Sequence, residues 1–321
     1  MSELTRGRVV RTDAKVCHVD LGDRVVQAAP RGRLFEDLSE VKNPIAVGDD
    51  VLIDLHGDPV SIESVEERRN SLSRTASSHD PREQVLVANV DQLFIISSVG
   101  RPGFSSNRTD RILAACVWEE IPAILVINKT DLGREGELEA LRATYEQAGV
   151  EVVETCALEG TGVEELRERL QGRTSVFYGA SGAGKSSLLN ALEPGLSLRV
   201  GKISKYWRAG KHTTSYSHLI HLEKESPDTW VIDTPGIRVF RLFGLNTAHL
   251  RDLYPDFAPF QDRCAFPNCQ HDHEPDCAVI EAVENEEIAE TRYASYLEIL
   301  DELEPPMEDD TPVEPPEGGL L

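Results

Sequence analysis

The sequence predicts a multidomain protein with three parts: an N-terminal all-β, OB-like barrel, a central α/β domain of the P-loop type, and a C-terminal helical domain that binds a metal. Three observations lead to this prediction. Short β-branched runs separated by Gly and Asp fill the N-terminal segment, a glycine-rich phosphate-binding signature lies mid-chain, and three Cys and one His cluster near the C-terminus. A chain of 321 residues is long enough for about two or three domains.

The N-terminal segment 1–66 carries five short runs with the composition of strands, at 7–10, 15–19, 23–27, 50–54 and 60–62. This spacing is typical of a small barrel of the OB type. Such a barrel can bind RNA or can serve only as a scaffold, and the segment by itself leaves both roles open. Residues 67–83 are polar and without clear periodicity, which predicts an irregular linker.

A phosphate-binding loop is predicted by a match to G-x-x-x-x-G-K-[ST] at every fixed position. The run 174–178 favours a strand entering the loop, and 186–192 favours a helix leaving it with its positive end toward the phosphates. Lys185 supplies a cation for the β- and γ-phosphates, and the Ser186 hydroxyl suits Mg²⁺. The predicted contacts are Gly179, Ala180, Ser181, Gly182, Ala183, Gly184, Lys185, Ser186 and Ser187.

A base-reading tetrad follows the continuous apolar run 123–127, which is typical of a buried parallel strand. The Asp131 carboxylate can accept the N1–H and the 2-amino group of guanine together, whereas adenine leaves that carboxylate unpaired. Asn128 is expected to tie this loop to the phosphate loop, and the Lys129 stem to lie along the base. The predicted base contacts are Asn128, Lys129, Thr130 and Asp131.

A third guanine contact is predicted after a helix at 133–148 and a strand at 150–154. Thr155, Cys156 and Ala157 resemble the T/S-S-A element whose backbone N–H groups contact the guanine O6, with Cys156 in place of the usual Ser. The element is short, and its position between the base reader and the phosphate loop is what gives it meaning.

A γ-phosphate sensor of the form D-x-x-G follows the run 228–232, with Asp233 expected to hold Mg²⁺ through water and the Gly236 N–H to reach the γ-phosphate. Upstream, either Thr213 or Thr214 is expected to complete the Mg²⁺ shell. Ile237 stands where Ras-like enzymes place a water-orienting glutamine, which predicts slow hydrolysis by the free protein. His212 is the candidate catalytic group, since an imidazole there could position a water.

The order of these signatures is inverted relative to an ordinary small GTPase, because the base reader precedes the phosphate loop. This order predicts a circularly permuted P-loop GTPase domain over 84–245. Its first strand is expected at 92–98 and its first helix at 108–118. Gly182 lies where some cation-activated GTPases carry asparagine, so potassium activation is not supported at that position.

A closed metal site is predicted within 246–303, where Cys264, Cys269, His271 and Cys277 form a Cys₃His set typical of structural Zn²⁺. His273 is close enough in sequence to compete as a ligand. Residues 278–303 are predicted to be helical, and the Pro- and acid-rich tail 304–321 to be disordered.

The formal net charge of −23 argues at first against a nucleic-acid partner, but the charge is uneven. Residues 281–321 hold fourteen Asp or Glu against one Arg, whereas 199–222 contain five Lys or Arg and no acid. That basic run could contact RNA or simply surround the nucleotide phosphates. The chain has neither a signal peptide nor an 18-residue apolar run, so we expect a soluble, cytoplasmic protein with reduced thiols and no membrane partner.

With these signatures in place, the chain resembles the ribosome small-subunit-dependent GTPase A family, the RsgA/YjeQ-type circularly permuted GTPases, over nearly all of 7–303. The resemblance implies an OB fold, a permuted GTPase domain and a zinc domain. It also implies rRNA binding by the barrel, His271 as the zinc ligand and His212 as the catalytic histidine. Members of the family bind the small ribosomal subunit late in its maturation and hydrolyse GTP faster when bound.

The leading hypothesis is therefore a GTP hydrolase, producing GDP and phosphate, that assists late maturation of the small (30S) subunit. One structural Zn²⁺ per chain, Mg²⁺ with GTP, and a monomeric state are expected. An RNA-binding module that holds GTP only as a structural ligand is the second hypothesis, which Ile237 keeps open. A permuted GTPase of the large subunit ranks third, since its relatives generally lack this barrel and this zinc cluster.

Overall fold

The computed structural model of the chain describes residues 4–35, 40–77, 79–196, 217–222, 228–234 and 240–303. The predicted tail 304–321 and most of the basic run 199–222 lie outside these ranges. The described residues form a barrel, a two-stranded hairpin, a parallel sheet covered by helices, and a set of C-terminal helices.

The N-terminal barrel closes as a ring of five strands, which confirms the OB-like prediction. The first strand pairs with the second and with the fourth, the second with the third, and the fifth with both the third and the fourth. Side chains that alternate inward, such as Val9, Val51 and Ile53, form its core because successive strand residues face opposite sides. The strands are β1 (Thr5–Thr12), β2 (Cys17–Asp20), β3 (Val25–Pro30), β4 (Asp50–Asp54) and β5 (Ser61–Val65).

The segment 67–83, expected to be an irregular linker, instead contributes to an antiparallel hairpin of β6 (Ser71–Ser77) and β7 (Asp80–Ala88). Its Ser, Thr and Arg residues are polar but compatible with a strand that has one buried face. Leu72 and Val87 are fully buried beneath the central sheet. Because the residues on the other face are polar, the sequence pattern did not predict this strand.

The central sheet is parallel, with the order β10-β9-β8-β11-β13, and a further strand, β12, runs antiparallel beside β13. Apolar cores lie on both faces of the sheet, as continuous apolar strands predict. Within the described residues β12 also bridges β1 of the barrel, at His218 and Arg11. The strands are β8 (Gln92–Ser98), β9 (Ala123–Asn128), β10 (Glu151–Thr155), β11 (Thr174–Gly179), β12 (His218–His221) and β13 (Trp230–Asp233).

Helices connect these strands. Those predicted at 108–118, 133–148 and 186–192 are present with ends shifted by a few residues, whereas the helix at Val163–Leu170 was not predicted. The connecting helices are α1 (Ser106–Trp118), α2 (Glu137–Gln147), α3 (Val163–Leu170) and α4 (Lys185–Leu192). The Ser105 side chain caps α1 by accepting a hydrogen bond from the Arg108 backbone N–H.

The C-terminal part contains α5 (Thr247–Leu250), α6 (Ala258–Gln261), α7 (Ala278–Glu284) and α8 (Glu290–Leu303). The helix expected over 278–303 is thus two helices. The first ends at Glu284 and is capped by Asn285. Glu286 then adopts a φ of 60°, which an α-helix does not continue. Ile288 in the break is 1% exposed and anchors the turn in the core.

No helix among the described residues combines the length and the apolar character that crossing a membrane requires.

Candidate nucleotide site and metal cluster

The predicted nucleotide-binding signatures meet at the carboxyl edge of the central sheet. Because β9, β10, β11 and β13 are parallel, the loops that follow them leave the same edge. Asn128 lies beside Thr155 in the register of β9 and β10, and Phe177 lies beside Asp233 in that of β11 and β13. Signatures far apart in the chain therefore form one site.

The phosphate loop needs its glycines because neighbouring groups leave no room for a side chain. A Cβ on Gly184 would lie 2.0 Å from Asn128 Nδ2, and its φ of +106° is also unfavourable for other residues. A Cβ on Gly179 would lie 2.2 Å from the carbonyl oxygen of Ile96. The loop is thus packed directly against the base reader and against β8.

Asn128 joins the base reader to the phosphate loop and to the third guanine element. Its Nδ2 donates to the Ala183 carbonyl oxygen at 2.9 Å, and its Oδ1 accepts from the Thr155 hydroxyl at 3.1 Å. The side chain is 1% exposed, so both ends of the amide are satisfied in a buried position. The geometry matches the tying role that the sequence assigned to Asn128.

Asp131 is held by the thiol of Cys156, whose Sγ lies 3.1 Å from Asp131 Oδ1. The Thr130 hydroxyl donates to the Thr155 carbonyl oxygen at 3.3 Å, which fastens the same two loops a second time. Ala157 follows directly in this loop and is half-buried. Sequence reasoning treated Cys156 as a backbone contributor only and missed its contact with the carboxylate.

A third loop, between β8 and α1, also reaches the site, and sequence reasoning did not assign it. The Lys129 ammonium donates to the Arg101 carbonyl oxygen, and a Cβ on Gly182 would come within 3.4 Å of the Pro102 ring. Gly100, with a φ of +87°, leaves room for Leu132. The Gly and Pro after a buried strand were the available signal, since such residues mark a tight loop at a sheet edge.

Lys185 and Asp233 provide opposite charges on the two sides of the phosphate loop. Lys185 is 8% exposed, and its Nζ donates to the Gly179 carbonyl oxygen at 2.8 Å. Burial lowers the pKa of Lys185, while Asp233 opposes that shift. Burial raises the pKa of Asp233 to about 6 against the opposing effect of Lys185, and its Oδ1 is buried without a hydrogen-bond partner among the described residues.

These groups suit a magnesium–phosphate complex. An orphaned carboxylate oxygen is a ready ligand for Mg²⁺ or for its bound water. Ser186, in the first turn of α4, offers a hydroxyl for the same ion. Thr234 holds the strand end in place, because its hydroxyl donates to the Phe177 carbonyl oxygen at 2.8 Å. Asp233 is thus fixed relative to β11 and the loop that follows it.

A cavity of about 170 Å³ lies behind the phosphate loop, between β8, the loop and the first turns of α1. Gly179, Ala183, Phe240 and Arg108 contribute to its wall.

Four predicted site residues, His212, Thr213, Thr214 and Gly236, lie outside the described residues, as does Ile237. Their predicted roles are unchanged by the structure.

The four predicted metal ligands converge at one point. One ligand atom from each of Cys264, Cys269, His271 and Cys277 lies within 4.8 Å of the others. His271 Nδ1 lies 3.3 Å from Cys277 Sγ and 3.6 Å from Cys264 Sγ, and its ring is fully buried. The alternative ligand His273 has an 87% exposed side chain and pairs with Asp272 instead.

The chemistry of this cluster favours a metal ion. Burial lowers the pKa of His271 to about 4, which keeps the imidazole neutral, and burial raises the pKa of Cys269 to about 12. Cysteine binds a divalent metal as the thiolate, so a bound metal would displace the thiol protons. The cluster can therefore hold a metal through three sulfurs and one nitrogen.

Comparison with known proteins decides the family. The model of the RsgA GTPase family matches residues 65–243. The chain belongs to the RsgA GTPase family. It is accordingly a GTPase, built as an OB-like barrel, a circularly permuted P-loop domain and a C-terminal helical domain that carries the Cys/His cluster.

Named relatives of the RsgA GTPase family are similar over nearly the whole chain. The Small ribosomal subunit biogenesis GTPase RsgA of Chlorobaculum tepidum is 40% identical over 94% of this chain and 99% of its own length. The protein of the same name from Bacteroides fragilis is 38% identical over 93% of this chain and 97% of its own.

Two solved structures share the architecture. The crystal structure of YjeQ from Thermotoga maritima is 33% identical with a TM-score of 0.71, and it covers 94% of this chain and 99% of its own. The structure of YloQ, described as a circularly permuted GTPase, is 28% identical with a TM-score of 0.64 and covers 94% and 95%. The permuted order predicted from the sequence is thus confirmed.

Proposed function

We propose that this GTPase binds the small ribosomal subunit and its rRNA, assists the late maturation of that subunit, and hydrolyses GTP faster when bound. The observation that carries the nucleotide site is the hydrogen-bonded chain from Thr155 through Asn128 to Ala183, which joins its three loops. Similarity to relatives named for small-subunit biogenesis over 93–94% of the chain supports the partner.

In the proposed site, guanine is read by the Asp131 carboxylate, with Asn128, Lys129, Thr130, Thr155, Cys156 and Ala157 around the base. Residues 179–187 hold the phosphates. The hydrogen bond from the Cys156 thiol supports this reading because it keeps Asp131 at the base edge. A nucleotide that lacks the 2-amino group would leave that carboxylate partly unpaired and would bind more weakly.

Magnesium is proposed to bind Ser186 and, through water, Asp233, with Thr213 or Thr214 completing its shell. Lys185 would stabilise charge that develops on the transferred phosphate, and it is well placed because it is buried beside the loop carbonyls. His212 is proposed to position the attacking water, and the Gly236 N–H to contact the γ-phosphate.

Zinc is the proposed occupant of the Cys/His cluster, at one ion per chain. A Cys₃His donor set with every position filled by protein is typical of structural zinc. Its role would be to hold together the C-terminal helices, of which α8 packs on α1. Metal analysis of purified protein should find about one zinc per chain, and Cys264→Ser should lower that ratio without removing nucleotide binding.

The domain assignment follows the same proposal, with the barrel at 1–66, the GTPase domain at 84–245 and the zinc domain at 246–303. The barrel is the proposed rRNA-binding surface, the protein would act in the cytoplasm, where ribosomal subunits are assembled, and we propose that it is a monomer.

The test is phosphate release from GTP and from ATP, each with and without purified small ribosomal subunits. Strong stimulation that is selective for GTP is expected. Tight GTP binding with no stimulation would contradict the proposal and would favour an RNA-binding module that uses GTP as a structural ligand. Stimulation by large subunits alone would contradict the assignment of the partner.

A further inference from the structure

The hairpin of β6 and β7 touches two functional parts of the molecule. One of its strands, β7, is held by the barrel, whereas the open edge of β6 is taken by the chain that follows the γ-phosphate segment. Nothing in the predicted roles of the site residues uses this hairpin.

On the barrel side, the chain segment 40–48 runs alongside β7. The Asn43 side chain donates to the Val85 carbonyl oxygen at 2.9 Å and accepts from the Val85 N–H at 3.2 Å. Val41 and Val47 form parallel bridges to Glu83 and Val87. Ile45 of the same segment belongs to the barrel core and Val47 to the core beneath the central sheet, so the barrel and β7 form a continuous packed structure.

On the other side, a single residue of β6 holds two consecutive carbonyls. The Thr75 N–H donates to the Arg241 carbonyl oxygen at 3.0 Å, and the Thr75 hydroxyl donates to the Leu242 carbonyl oxygen at 3.0 Å. Leu242 is 8% exposed, so the bond to its carbonyl is made in a largely dry place. Phe240, just before, packs edge-on against Tyr178 with ring centroids 5.9 Å apart.

The described residues on the two sides of 235–239 are both held against β11. On the upstream side, the Thr234 hydroxyl donates to the Phe177 carbonyl oxygen. On the downstream side, Phe240 packs against Tyr178. Both contacts are with β11, just before the phosphate loop. Tyr178 directly precedes Gly179 of the phosphate loop, so the position of Phe240 bears on the groups that would hold the phosphates. The third fixed point, Thr75, belongs to the hairpin and moves with it.

We propose that the β6–β7 hairpin links the barrel to the chain at Phe240, Arg241 and Leu242, and that Thr75 is the positioning residue through which binding of the small subunit accelerates GTP hydrolysis. The inference rests on the proposed function. It adds the route: contact at the barrel is transmitted through Asn43 to β7 and through Thr75 to the chain at Arg241 and Leu242.

The decisive variant is Thr75→Val, which keeps the shape and the backbone N–H and removes only the hydroxyl. We expect kcat of the subunit-stimulated reaction to fall by about 2- to 10-fold, the range for losing one neutral hydrogen bond. GDP affinity, KM for GTP and the unstimulated rate should not change. Thr75→Ser keeps a hydroxyl donor and should retain the stimulated rate.

Asn43→Ala breaks the barrel side of the same link and should lower the stimulated kcat in the same way. If both variants interrupt one route, the stimulated kcat of the double variant should be little lower than that of the slower single variant. Effects on a shared route do not add. Gln84→Ala is the matched control, because Gln84 accepts from Arg74 within the hairpin and touches neither end of the link.

The outcomes separate the two proposals. Wild-type protein that the small subunit does not stimulate counts against the proposed function. Stimulated wild type with an equally stimulated, folded Thr75→Val variant overturns the link. Hydrogen exchange on the wild type needs no variant: bound subunit should change protection of the Thr75 amide together with β7 near Val85, and unchanged protection at both places would also overturn it.

Discussion

At the scale of single residues, the proposed specificity for guanine depends on Asp131 and on the group that holds it. The Asp131 carboxylate stands at the end of the base-reading loop, 3.1 Å from the Cys156 thiol. Cys156 is 1% exposed, so its S–H has few competing acceptors and can hold the carboxylate in one orientation. An orientation fixed in advance costs less on binding than one selected by the ligand.

We expect Asp131→Asn to weaken GDP binding by about 10- to 100-fold, because an ionised acceptor is lost from two hydrogen bonds. The amide can donate to the 2-oxo group of xanthine, so affinity for the xanthine nucleotide should rise. Titration calorimetry with both diphosphates measures the two effects. The exposed carboxylate in the next turn provides the control variant Glu159→Gln. Equal losses for both nucleotides would contradict the base-reading role.

At the scale of elements, α1 and α8 are joined by a buried ionic cluster that connects the GTPase domain to the C-terminal helices. Arg292 of α8 donates to Asp110 of α1 at 2.7 Å and to Asp256 at 2.7 Å. The arginine side chain is 2% exposed and that of Asp110 is fully buried. Charges this deep are tolerated only in pairs.

Arg292→Leu should destabilise the protein by about 3–5 kcal/mol, because two carboxylates would remain in the interior without their cation. The neighbouring pair between Arg111 and Glu302 offers a comparison, since the Glu302 side chain is 51% exposed. Glu302→Gln should cost at most about 1 kcal/mol. Urea unfolding of the wild type and of the two variants measures both losses of stability. Similar midpoints for the two variants would show that the buried cluster contributes little.

The C-terminal end of α1 carries a second unusual carboxylate. Burial is the larger cause that raises the pKa of Glu119 to about 7, and the nearby charge of Glu83 is the smaller one. The folded protein therefore keeps a proton between pH 4.5 and about 7, whereas the unfolded chain releases it above the ordinary glutamate pKa of 4.5. This group makes stability fall as pH rises through that window, and its effect is constant above it.

Glu119→Gln should remove that part of the pH dependence. The melting temperature of the variant should exceed that of the wild type by an amount that grows from about pH 5 to pH 7. Glu120→Gln at the exposed next position is the matched control and should follow the wild type. A wild type and Glu119→Gln variant with parallel profiles would contradict the raised pKa.

At the scale of the whole molecule, the charge distribution should affect how binding to the proposed ribosomal partner depends on salt. The chain carries a net charge of −23, and its tail 304–321 holds six Asp or Glu and no Lys or Arg. Such a tail repels RNA phosphates at low ionic strength, and salt screens the repulsion over about 10 Å at 0.1 M.

Deleting residues 304–321 should therefore tighten binding to the small subunit at low salt, by about 2- to 10-fold, with the difference vanishing as salt is raised. Sedimentation binding across a salt series measures this. A deletion that weakens binding, or an advantage that persists at high salt, would show that the tail acts by specific contact rather than by charge.

The sequence alone predicted most strands of the barrel and of the central sheet, and the order of the nucleotide-binding signatures. Apolar runs marked the strands of the central sheet, glycine spacing marked the phosphate loop, and the position of the base reader ahead of it marked the permutation. These features are local, because each depends on residue types within one strand and one turn. The prediction of an irregular linker at 67–83 was wrong for the same reason. One face of β6 is polar, so its residues do not resemble a strand, and its other face is buried by residues distant in the chain.

Only the tertiary structure decided which distant groups meet. Three contacts depend on where strands and turns place side chains in space. They are the thiol of Cys156 against Asp131, the amide of Asn128 between two loops, and His271 rather than His273 beside the cysteines. The clamp of Thr75 on the chain at Arg241 and Leu242 joins residues 167 positions apart in the case of the hydroxyl bond. Sequence patterns report local propensity and periodicity, whereas such contacts arise from packing between elements, which no local pattern specifies.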